Sequence, residues 1–293
     1  MDDNFAEKNI IYLCCPECRS DLIEQNNFLI CKRCGEKYNI QNGIPVLVNL
    51  KNLSIHLHKQ VKYFDNVIQK RIEYKLYGWQ RSYVVRFVEN FDNIVGKIII
   101  DSGTGYGYMA IELAKLGASV IALDITFNNL VKLKQVAEEL NIKNIHCICC
   151  NAEKLPFRNG FADFFISNAC LEHIANEKKA IGEINRICKN SAGLMITVPL
   201  KFKYLNPLFI PIHFLLDKRI GHLRRYDKED LIDRFYAWKL VRIYYTGHFK
   251  KTLFAIFKIV KLNLFDEHKI EKLDDIKSGK KYWASNICAI FKR

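Results

Sequence analysis

The chain has 293 residues, of which 49% are hydrophobic and 12% aromatic, so it can bury a core and is not intrinsically disordered. It contains 45 Lys+Arg against 31 Asp+Glu, and 11 cysteines. The start at Met1 lacks the basic and apolar regions of a secretory signal, and no stretch reaches about 18 apolar residues. We therefore expect a cytoplasmic protein without a transmembrane segment, in which cysteines bind metal more often than they form disulfides.

Two cysteine pairs near the start have the spacing of a zinc ribbon. Cys15 and Cys18 form one CxxC, Cys31 and Cys34 form another, and twelve residues separate the pairs. Each CxxC turns tightly, so the two pairs can supply four thiolates to one tetrahedral ion. We predict structural Zn²⁺ there, because four protein ligands leave no open position. Cys14 is an alternative first ligand, but only Cys15 gives the CxxC spacing.

The residues around these cysteines resemble a known family. The pattern CPxC…CxxC-G-x-x-Y-x-I-x-x-G-I-P, which ends here in Tyr38, Gly43, Ile44 and Pro45, is similar to the small zinc-ribbon activator protein that partners methyltransferases of the translation machinery. The resemblance implies a zinc-ribbon module over residues 1–50. In that family the ribbon is a separate subunit, whereas here it would be fused to a longer chain, and the resemblance does not imply what it does.

Beyond the ribbon, the pattern changes twice. Residues 51–96 contain helical spacing and are predicted to form a helical connector. From residue 97, apolar runs alternate with helical patterns, which indicates a parallel sheet with helices on both faces. In such sheets ligands bind at the carboxyl ends of the strands. The predicted strands are 97–101, 119–124, 145–150, 161–167 and 194–198.

The first strand-to-helix turn is rich in glycine. It reads D-S-G-T-G-Y-G, with the acid at Asp101 and glycines at Gly103, Gly105 and Gly107. Glycines let a ligand lie against the backbone, and a helix N-terminus favours an anionic group. A dinucleotide-binding loop would place its third glycine at residue 108, which is Tyr. Asp124 ends the second strand, where a carboxylate can accept both ribose hydroxyls; the alternative is a helix N-cap.

This D-x-G-x-G-x-G loop resembles the first motif of class I S-adenosylmethionine (SAM) methyltransferases of the ubiquinone/menaquinone or "type 11" group. N-A-E-K-L-P-F from Asn151 is similar to the motif after the third strand, whose first residue lies at the adenine and is usually Asp. The L-E-H run at 171–173 and the strand at 284–293 extend the likeness. The resemblance implies an α/β fold over residues 97–293, with a Rossmann-like seven-stranded sheet. The cofactor contacts that it implies are Asp101, Gly103, Gly105, Gly107, Asp124, Ile125, Asn151, Ala152, Glu153 and Asn168.

Candidate catalytic residues follow the fourth and fifth strands. Methyl transfer is an in-line displacement, so a base is needed only when the acceptor must lose a proton. We predict His173, His222 and Tyr226 as base or orienting groups, with packing or capping as the alternative for His173. Arg224 and Arg225 either hold an anionic acceptor or pair with the acidic cluster just beyond them.

The sequence favours SAM-dependent methylation, at O or C, of a small or lipid-borne acceptor. Residues 201–293 hold 21 Lys+Arg against 10 Asp+Glu, and Lys250 to Phe265 reads as a cationic amphipathic helix or as a buried helix with a lysine edge. With the apolar run from Phe202 to Ile220, this predicts peripheral membrane contact. RNA methylation is the alternative, since the same charge attracts phosphate, and a lysine-rich composition explains the excess without a partner. A non-catalytic SAM-binding regulatory subunit is the second alternative.

Overall fold

A computed structural model describes residues 12–49, 53–68, 74–249, 252–253 and 267–293. The chain divides into two compact units. The first unit comprises Met1–Tyr74, Asn93–Ile166 and Ile174–Ala192, and the second comprises Lys75–Asp92, Ser167–His173 and Gly193–Arg293. The cationic helix predicted over Lys250 to Phe265 lies outside the described residues, except for two positions.

The N-terminal module is a four-stranded antiparallel sheet. Its strands are β1 (Leu22–Gln25), β2 (Phe28–Cys31), β3 (Lys37–Gln41) and β4 (Ile44–Pro45). Two-residue turns join β1 to β2 and β3 to β4, and all four turn residues have positive φ. The turn residues are Asn26, Asn27, Asn42 and Gly43, the types that tolerate this conformation, so local sequence fixes the register of both hairpins.

The ribbon is attached along its length to the rest of the first unit. Val46 forms a parallel bridge with Cys149, and the Leu47 N–H donates to the Cys149 carbonyl at 2.8 Å. Leu13 forms an antiparallel bridge with Phe157. Ion pairs reinforce the contact: Lys154–Glu17, Arg158–Asp21 and Arg19–Glu183. The module thereby covers the strand ending at Cys149, which is the last strand in the order of the large sheet and would otherwise expose an edge.

Two helices occupy the predicted connector. Helix α1 spans Ile55–Ile68 and belongs to the first unit, where the Asn128 amide donates to Asp65 at 3.0 Å. Helix α2 spans Gly78–Asn90 and belongs to the second unit. There the Tyr83 hydroxyl lies 2.9 Å from the Thr246 hydroxyl, and Arg86 pairs with Asp275 at 2.6 Å. The two helices of the predicted connector, residues 51–96, thus pack in different units. That these residues form one connector domain remains a prediction.

In the first unit, strands and helices alternate as the sequence predicts. Three strands, β5, β6 and β7, pair in parallel, and strand β8 follows them. Helices join β5 to β6 and β6 to β7, and the apolar strands β5 and β6 are buried on both faces. The elements are β5 (Ile98–Ser102), α3 (Tyr108–Lys115), β6 (Ser119–Asp124), α4 (Phe127–Glu139), β7 (Ile145–Cys149), β8 (Ala162–Asn168) and α5 (Glu177–Ile187).

The later elements complete a seven-stranded sheet with the order β10-β11-β9-β8-β5-β6-β7. Strand β11 is antiparallel to both β9 and β10, which confirms the predicted final antiparallel strand. Its residues 287–291 are fully buried. The elements are β9 (Cys188–Pro199), α6 (Ile210–Ile220), α7 (Lys228–Arg234), β10 (Lys239–Thr246), α8 (Glu267–Ile276) and β11 (Asn286–Lys292). Within the described ranges, no helix is long and apolar enough to cross a membrane.

Candidate functional site

The four predicted metal ligands meet in one cluster. The Sγ atoms of Cys15, Cys18, Cys31 and Cys34 all lie within 4.8 Å of one another. The Cys18–Cys31 and Cys15–Cys34 Sγ pairs are 3.3 and 3.7 Å apart, far beyond the S–S bond of about 2.05 Å in a disulfide. A tetrahedron with Zn–S bonds of about 2.3 Å has edges of about 3.8 Å. The cluster therefore fits a four-cysteine zinc ribbon.

The knuckle backbone also suits thiolate ligands. The N–H groups of Arg33 and Cys34 point at the Cys31 Sγ, at 3.4 and 3.5 Å. Burial raises the pKa of the Cys31 thiol, but these N–H groups, together with hydrogen bonds from the Cys18 and Cys34 thiols, lower the pKa to about 6. Cys14 is buried outside the cluster, and its N–H donates to the Pro156 carbonyl at 2.9 Å. The spacing argument thus selects the member of the Cys14–Cys15 pair that lies in the cluster.

The glycine-rich loop has the conformation that its sequence demands. Gly103, Gly105 and Gly107 have φ values of +69°, +54° and +74°, which L-residues with a side chain rarely adopt. Their surroundings differ. A Cβ on Gly107 would lie 2.2 Å from a Leu133 methyl, whereas a Cβ on Gly105 would meet only the Gly103 carbonyl, at 4.0 Å. Gly107 is therefore needed for packing, while Gly105 faces room that a ligand can use.

Two buried acids hold this loop. The Asp124 carboxylate accepts from the N–H groups of Gly105 and Thr126 at 2.9 and 2.8 Å, and from the Asn129 amide at 3.2 Å. Burial raises the pKa of Asp124, and these hydrogen bonds oppose the rise. Asp101 accepts from the Thr104 hydroxyl at 2.6 Å. The acids thus fix the loop from its protein side. Four acceptor positions on Asp124 and three donors leave room for another hydrogen bond.

The predicted adenine segment forms a tight turn after β7. The Asn151 side-chain oxygen accepts from the Glu153 N–H at 2.9 Å, and the Asn151 carbonyl accepts from the Lys154 N–H at 2.9 Å. The Glu153 carboxylate accepts from the Asn176 N–H at 2.9 Å, just before α5. The Ile125 carbonyl lies 3.6 Å from the Cys149 Sγ. Ala152 lies within the turn. Their contacts with a cofactor remain predictions.

The remaining predicted residues lie in the second unit. Asn168 ends β8, and a 3₁₀ turn follows at Leu171–His173. The rings of His173 and His222 meet edge to face, with centroids 4.8 Å apart. Tyr226 is fully buried and its ring packs against the Arg234 guanidinium. The two histidines therefore come together, whereas the burial of Tyr226 indicates a packing role beside its predicted catalytic one.

Asp217, which the sequence does not single out, organises this region. Its carboxylate binds the His222 Nδ1 at 2.8 Å and the Arg225 Nε and Nη2 at 2.6 and 2.9 Å. The predicted alternative, that the arginine pair joins the acidic cluster beyond it, does not hold for Arg225. Lysines pair with the acidic cluster instead: Lys201 pairs with Asp227 and Asp230, and Lys203 pairs with Asp227.

Sequence reasoning also missed Thr104, Asn129 and Glu172. Thr104 and Asn129 hold the two acids of the loop. Asn129 could have been identified from the sequence as a polar residue in the first turn of the helix that follows Asp124. Glu172 is 1% exposed, and burial raises its pKa to about 7, against the lowering effect of the His222 and Arg225 charges. The L-E-H run pointed to this place but not to the acid.

Comparisons with known proteins agree with this geometry. The family model of the methyltransferase domain matches residues 100–196. The ubiquinone/menaquinone biosynthesis C-methyltransferase of Vibrio vulnificus is 25% identical over 132 residues, which are 44% of this chain and 49% of that protein. The sarcosine/dimethylglycine N-methyltransferase of Aphanothece halophytica is 27% identical over 141 residues, covering 46% of this chain and 51% of that protein. The chain thus spans about half the length of the curated relatives it matches.

Among solved structures, the geranyl diphosphate C-methyltransferase of Streptomyces coelicolor A3(2), in complex with Mg²⁺, geranyl diphosphate and S-adenosyl-L-homocysteine, has a similar fold. The TM-score is 0.58 at 13% identity, and the match covers 82% of this chain and 98% of the other. At this identity the likeness concerns the fold alone. It agrees with a Rossmann-like sheet of the methyltransferase type.

Proposed function

Because the chain contains a class I SAM-methyltransferase domain, we propose that it transfers the methyl group of SAM to a small or lipid-borne acceptor, at O or C. The observation that carries the proposal is the loop from Asp101 to Gly107 with Asp124 beneath it. Room beside Gly105 and a buried carboxylate with spare acceptor capacity suit the ribose end of SAM.

The transfer itself needs positioning more than proton chemistry. The acceptor atom attacks the methyl carbon in line, the C–S bond breaks, and the sulfur keeps the electron pair. The chain supplies Asp124 for the ribose, the Asn151 turn for the adenine, and loop N–H groups for the remaining polar atoms. When the acceptor must lose a proton, the histidines at 173 and 222 are the residues we propose to handle it.

The lipid-borne acceptor is favoured by an exposed apolar surface in the second unit. Leu208, Phe214 and Leu215 are 68%, 47% and 66% exposed, on or just before α6. The Lys218 ammonium lies 4.5 Å from the Phe214 ring centroid. Apolar side chains beside cations are the combination that binds an anionic membrane surface.

The cofactor site is tested by calorimetry with SAM. Asp124→Ala is expected to weaken binding by about 1–3 kcal/mol, because buried hydroxyls lose a partner. Gly105→Val should abolish binding by filling the room beside the loop. Gly160→Val is a matched control, since Gly160 also has positive φ, +63°, and a Cβ added there would meet no heavy atom within 4 Å. Wild-type affinity in both site variants would refute the site.

The acceptor is tested by following conversion of SAM to S-adenosylhomocysteine with lipid, small-molecule and RNA fractions of a cell extract. Turnover with the lipid or small-molecule fraction supports the proposal, and turnover with RNA alone reverses the ranking. SAM binding without turnover in any fraction would favour the regulatory-subunit alternative.

Membrane contact is tested by co-sedimentation with anionic liposomes. Binding should fall with salt, because the cations supply the long-range attraction. It should fall further in Phe214→Ser/Leu215→Ser, because those side chains supply the apolar burial. Tyr236→Ser is the matched control, an aromatic side chain that is 83% exposed outside this surface. RNA binding with indifference to the Phe214/Leu215 change would favour RNA instead.

A further inference from the structure

Three side chains that can ligate a metal meet in the second unit, apart from the cysteine cluster. They are Glu172 and His173 in the 3₁₀ turn and His222 after α6. One ligand atom from each lies within 4.8 Å of the other two. About fifty positions of sequence separate the turn from His222, so the fold, and not local spacing, brings them together.

Glu172 contributes a buried carboxylate to this group. It is 1% exposed, and its Oε2 has no hydrogen-bond partner among the residues that the structure describes. Its Oε1 is 3.9 Å from the His222 Nε2, which is longer than a hydrogen bond. A buried carboxylate oxygen without a partner is costly and calls for a ligand. A cation held between Glu172 and the two histidines would remove that cost.

The orientation of His222 supports the same interpretation. Its Nδ1 lies 2.8 Å from an Asp217 oxygen, and Asp217 is held in turn by two Arg225 nitrogens. A proton on Nδ1 would therefore be shared with Asp217, which leaves the lone pair on Nε2, the atom that faces Glu172. A carboxylate that fixes a histidine in this way is a regular second layer around metal ligands.

We propose that Glu172, His173 and His222 bind one divalent transition-metal ion, with Asp217 and Arg225 as positioning residues. Two imidazoles and one carboxylate form a donor set that suits Zn²⁺, Co²⁺ or Fe²⁺. Three protein ligands leave at least one open coordination position, unlike the four cysteines of the ribbon. The site would thus differ from the ribbon in both donor type and openness.

The open position suits an acceptor that presents a hydroxyl oxygen. A cation there would stabilise the oxygen as the O–H bond breaks and the proton passes to solvent. With a metal bound, His173 and His222 act as ligands, so the role of base proposed above applies to them only when no metal is bound. This role rests on the proposed methyl transfer, whereas the metal site itself does not.

The test uses the full chain with zinc retained in its ribbon, titrated with Co²⁺. We expect one further Co²⁺ per chain, with visible absorption but without the sulfur-to-metal charge transfer that thiolate ligands give. Glu172→Gln and His222→Ala should each weaken Co²⁺ binding at least about tenfold, and Asp217→Asn about 10–100-fold, because the last loses the group that orients His222. His58→Ala, in α1, is the matched control and should bind as the wild type does.

Thermal unfolding and SAM affinity are measured on the same variants. A variant that loses Co²⁺ but keeps its unfolding temperature and SAM affinity assigns the loss to the cation site. No second Co²⁺ in the wild type, or equal binding in the variants and the wild type, overturns the proposal. The Glu172–His222 pair would then be an acid–base pair without metal. Because SAM binding is read separately, failure of this site is distinguishable from failure of the proposed methyl transfer.

Discussion

The cysteine cluster and the glycine loop are two small sites in the first unit that are built on opposite principles. The cluster presents four side chains to one point, on two knuckles that a short antiparallel sheet supports. The loop is built from glycines, which lack side chains and leave the backbone accessible, and two buried acids beneath it hold that backbone. The ribbon site would depend on the thiolate side chains of its cysteines, whereas the loop depends on the absence of side chains at its glycines.

This difference decides how each site should respond to substitution. A ribbon of this size buries too little apolar surface to fold alone, so losing a ligand should cost the metal and the local fold together. In the loop, Gly107 packs against Leu133 and Gly105 faces the proposed ligand, so loss of the fold and loss of the ligand should separate. Substitutions in each site test that contrast, and the changes that we expect differ widely in size.

The largest effect is expected for Cys31→Ser/Cys34→Ser. Structural zinc contributes about 10–16 kcal/mol of apparent binding free energy in small modules, and two lost thiolates should remove it. After Co²⁺ substitution of the wild type, the sulfur-to-metal absorption should be strong, and in the variant it should be absent. Hydrogen exchange over residues 12–49 should rise at the same time.

Cys14→Ser is the control for this experiment, because Cys14 is a buried neighbour outside the cluster. It should keep the sulfur-to-metal absorption. If Cys31→Ser/Cys34→Ser also kept the sulfur-to-metal absorption, the cysteine cluster would not be a zinc site. The contrast between cluster and loop would then not hold.

The next largest effect is expected for Gly107→Ala. The new methyl would combine left-handed backbone strain with a 2.2 Å approach to Leu133, a sum of about 2–5 kcal/mol in unfolding free energy. Gly105→Ala carries only the strain, about 1–2 kcal/mol, since its methyl would meet only a carbonyl at 4.0 Å. Urea unfolding of both variants measures the difference. Equal losses would show that the two glycines do not divide fold from ligand.

A smaller effect concerns Asp101, one of the two buried acids that hold the loop. Burial raises the pKa of Asp101 from 3.8 to about 6, and the Asp124 charge adds to the rise while the Thr104 hydrogen bond opposes it. The folded protein then holds the proton more tightly than the unfolded chain. Stability from this group is present below pH 4 and is lost as pH rises through about 6.

Asp101→Asn should therefore match the wild type near pH 4 and exceed its unfolding free energy at pH 8 by about 1–3 kcal/mol. The asparagine oxygen can still accept from Thr104, so the loop keeps its shape. Urea unfolding at pH 4, 6 and 8 gives the two curves. Parallel curves would mean that burial does not shift the pKa of Asp101 between the unfolded and the folded protein.

Much of both sites was predictable because it is local. The CxxC spacing fixes four ligands within twenty residues, and Asn-Gly and Asn-Asn turns fix the hairpins around them. The order of strands followed from apolar runs and from the resemblance of the motifs. These features depend on neighbours along the chain, which periodicity and turn chemistry record.

What the sequence could not give depends on tertiary pairing. Arg225 lies two residues before the acidic cluster, yet it pairs with Asp217 from helix α6, and lysines from the loop after β9 occupy the cluster. Glu172 meets His222 only because the fold returns the chain to the 3₁₀ turn. Charges within a few residues offer several partners of similar energy, and packing chooses among them.

The smallest effect is expected at Asn151, where the family usually has an acid. The Asn151 side-chain oxygen accepts from the Glu153 N–H at 2.9 Å, and a carboxylate can accept there equally well. Asn151→Asp should therefore keep the turn, and its charge should strengthen acceptance from the adenine amino group by up to about 1 kcal/mol. Asn151→Leu, similar in size but without an acceptor, should lose about 1–2 kcal/mol of SAM binding. Calorimetry that found a large loss in Asn151→Asp, or none in Asn151→Leu, would place this residue away from the adenine and leave the cofactor to the glycine loop and Asp124 alone.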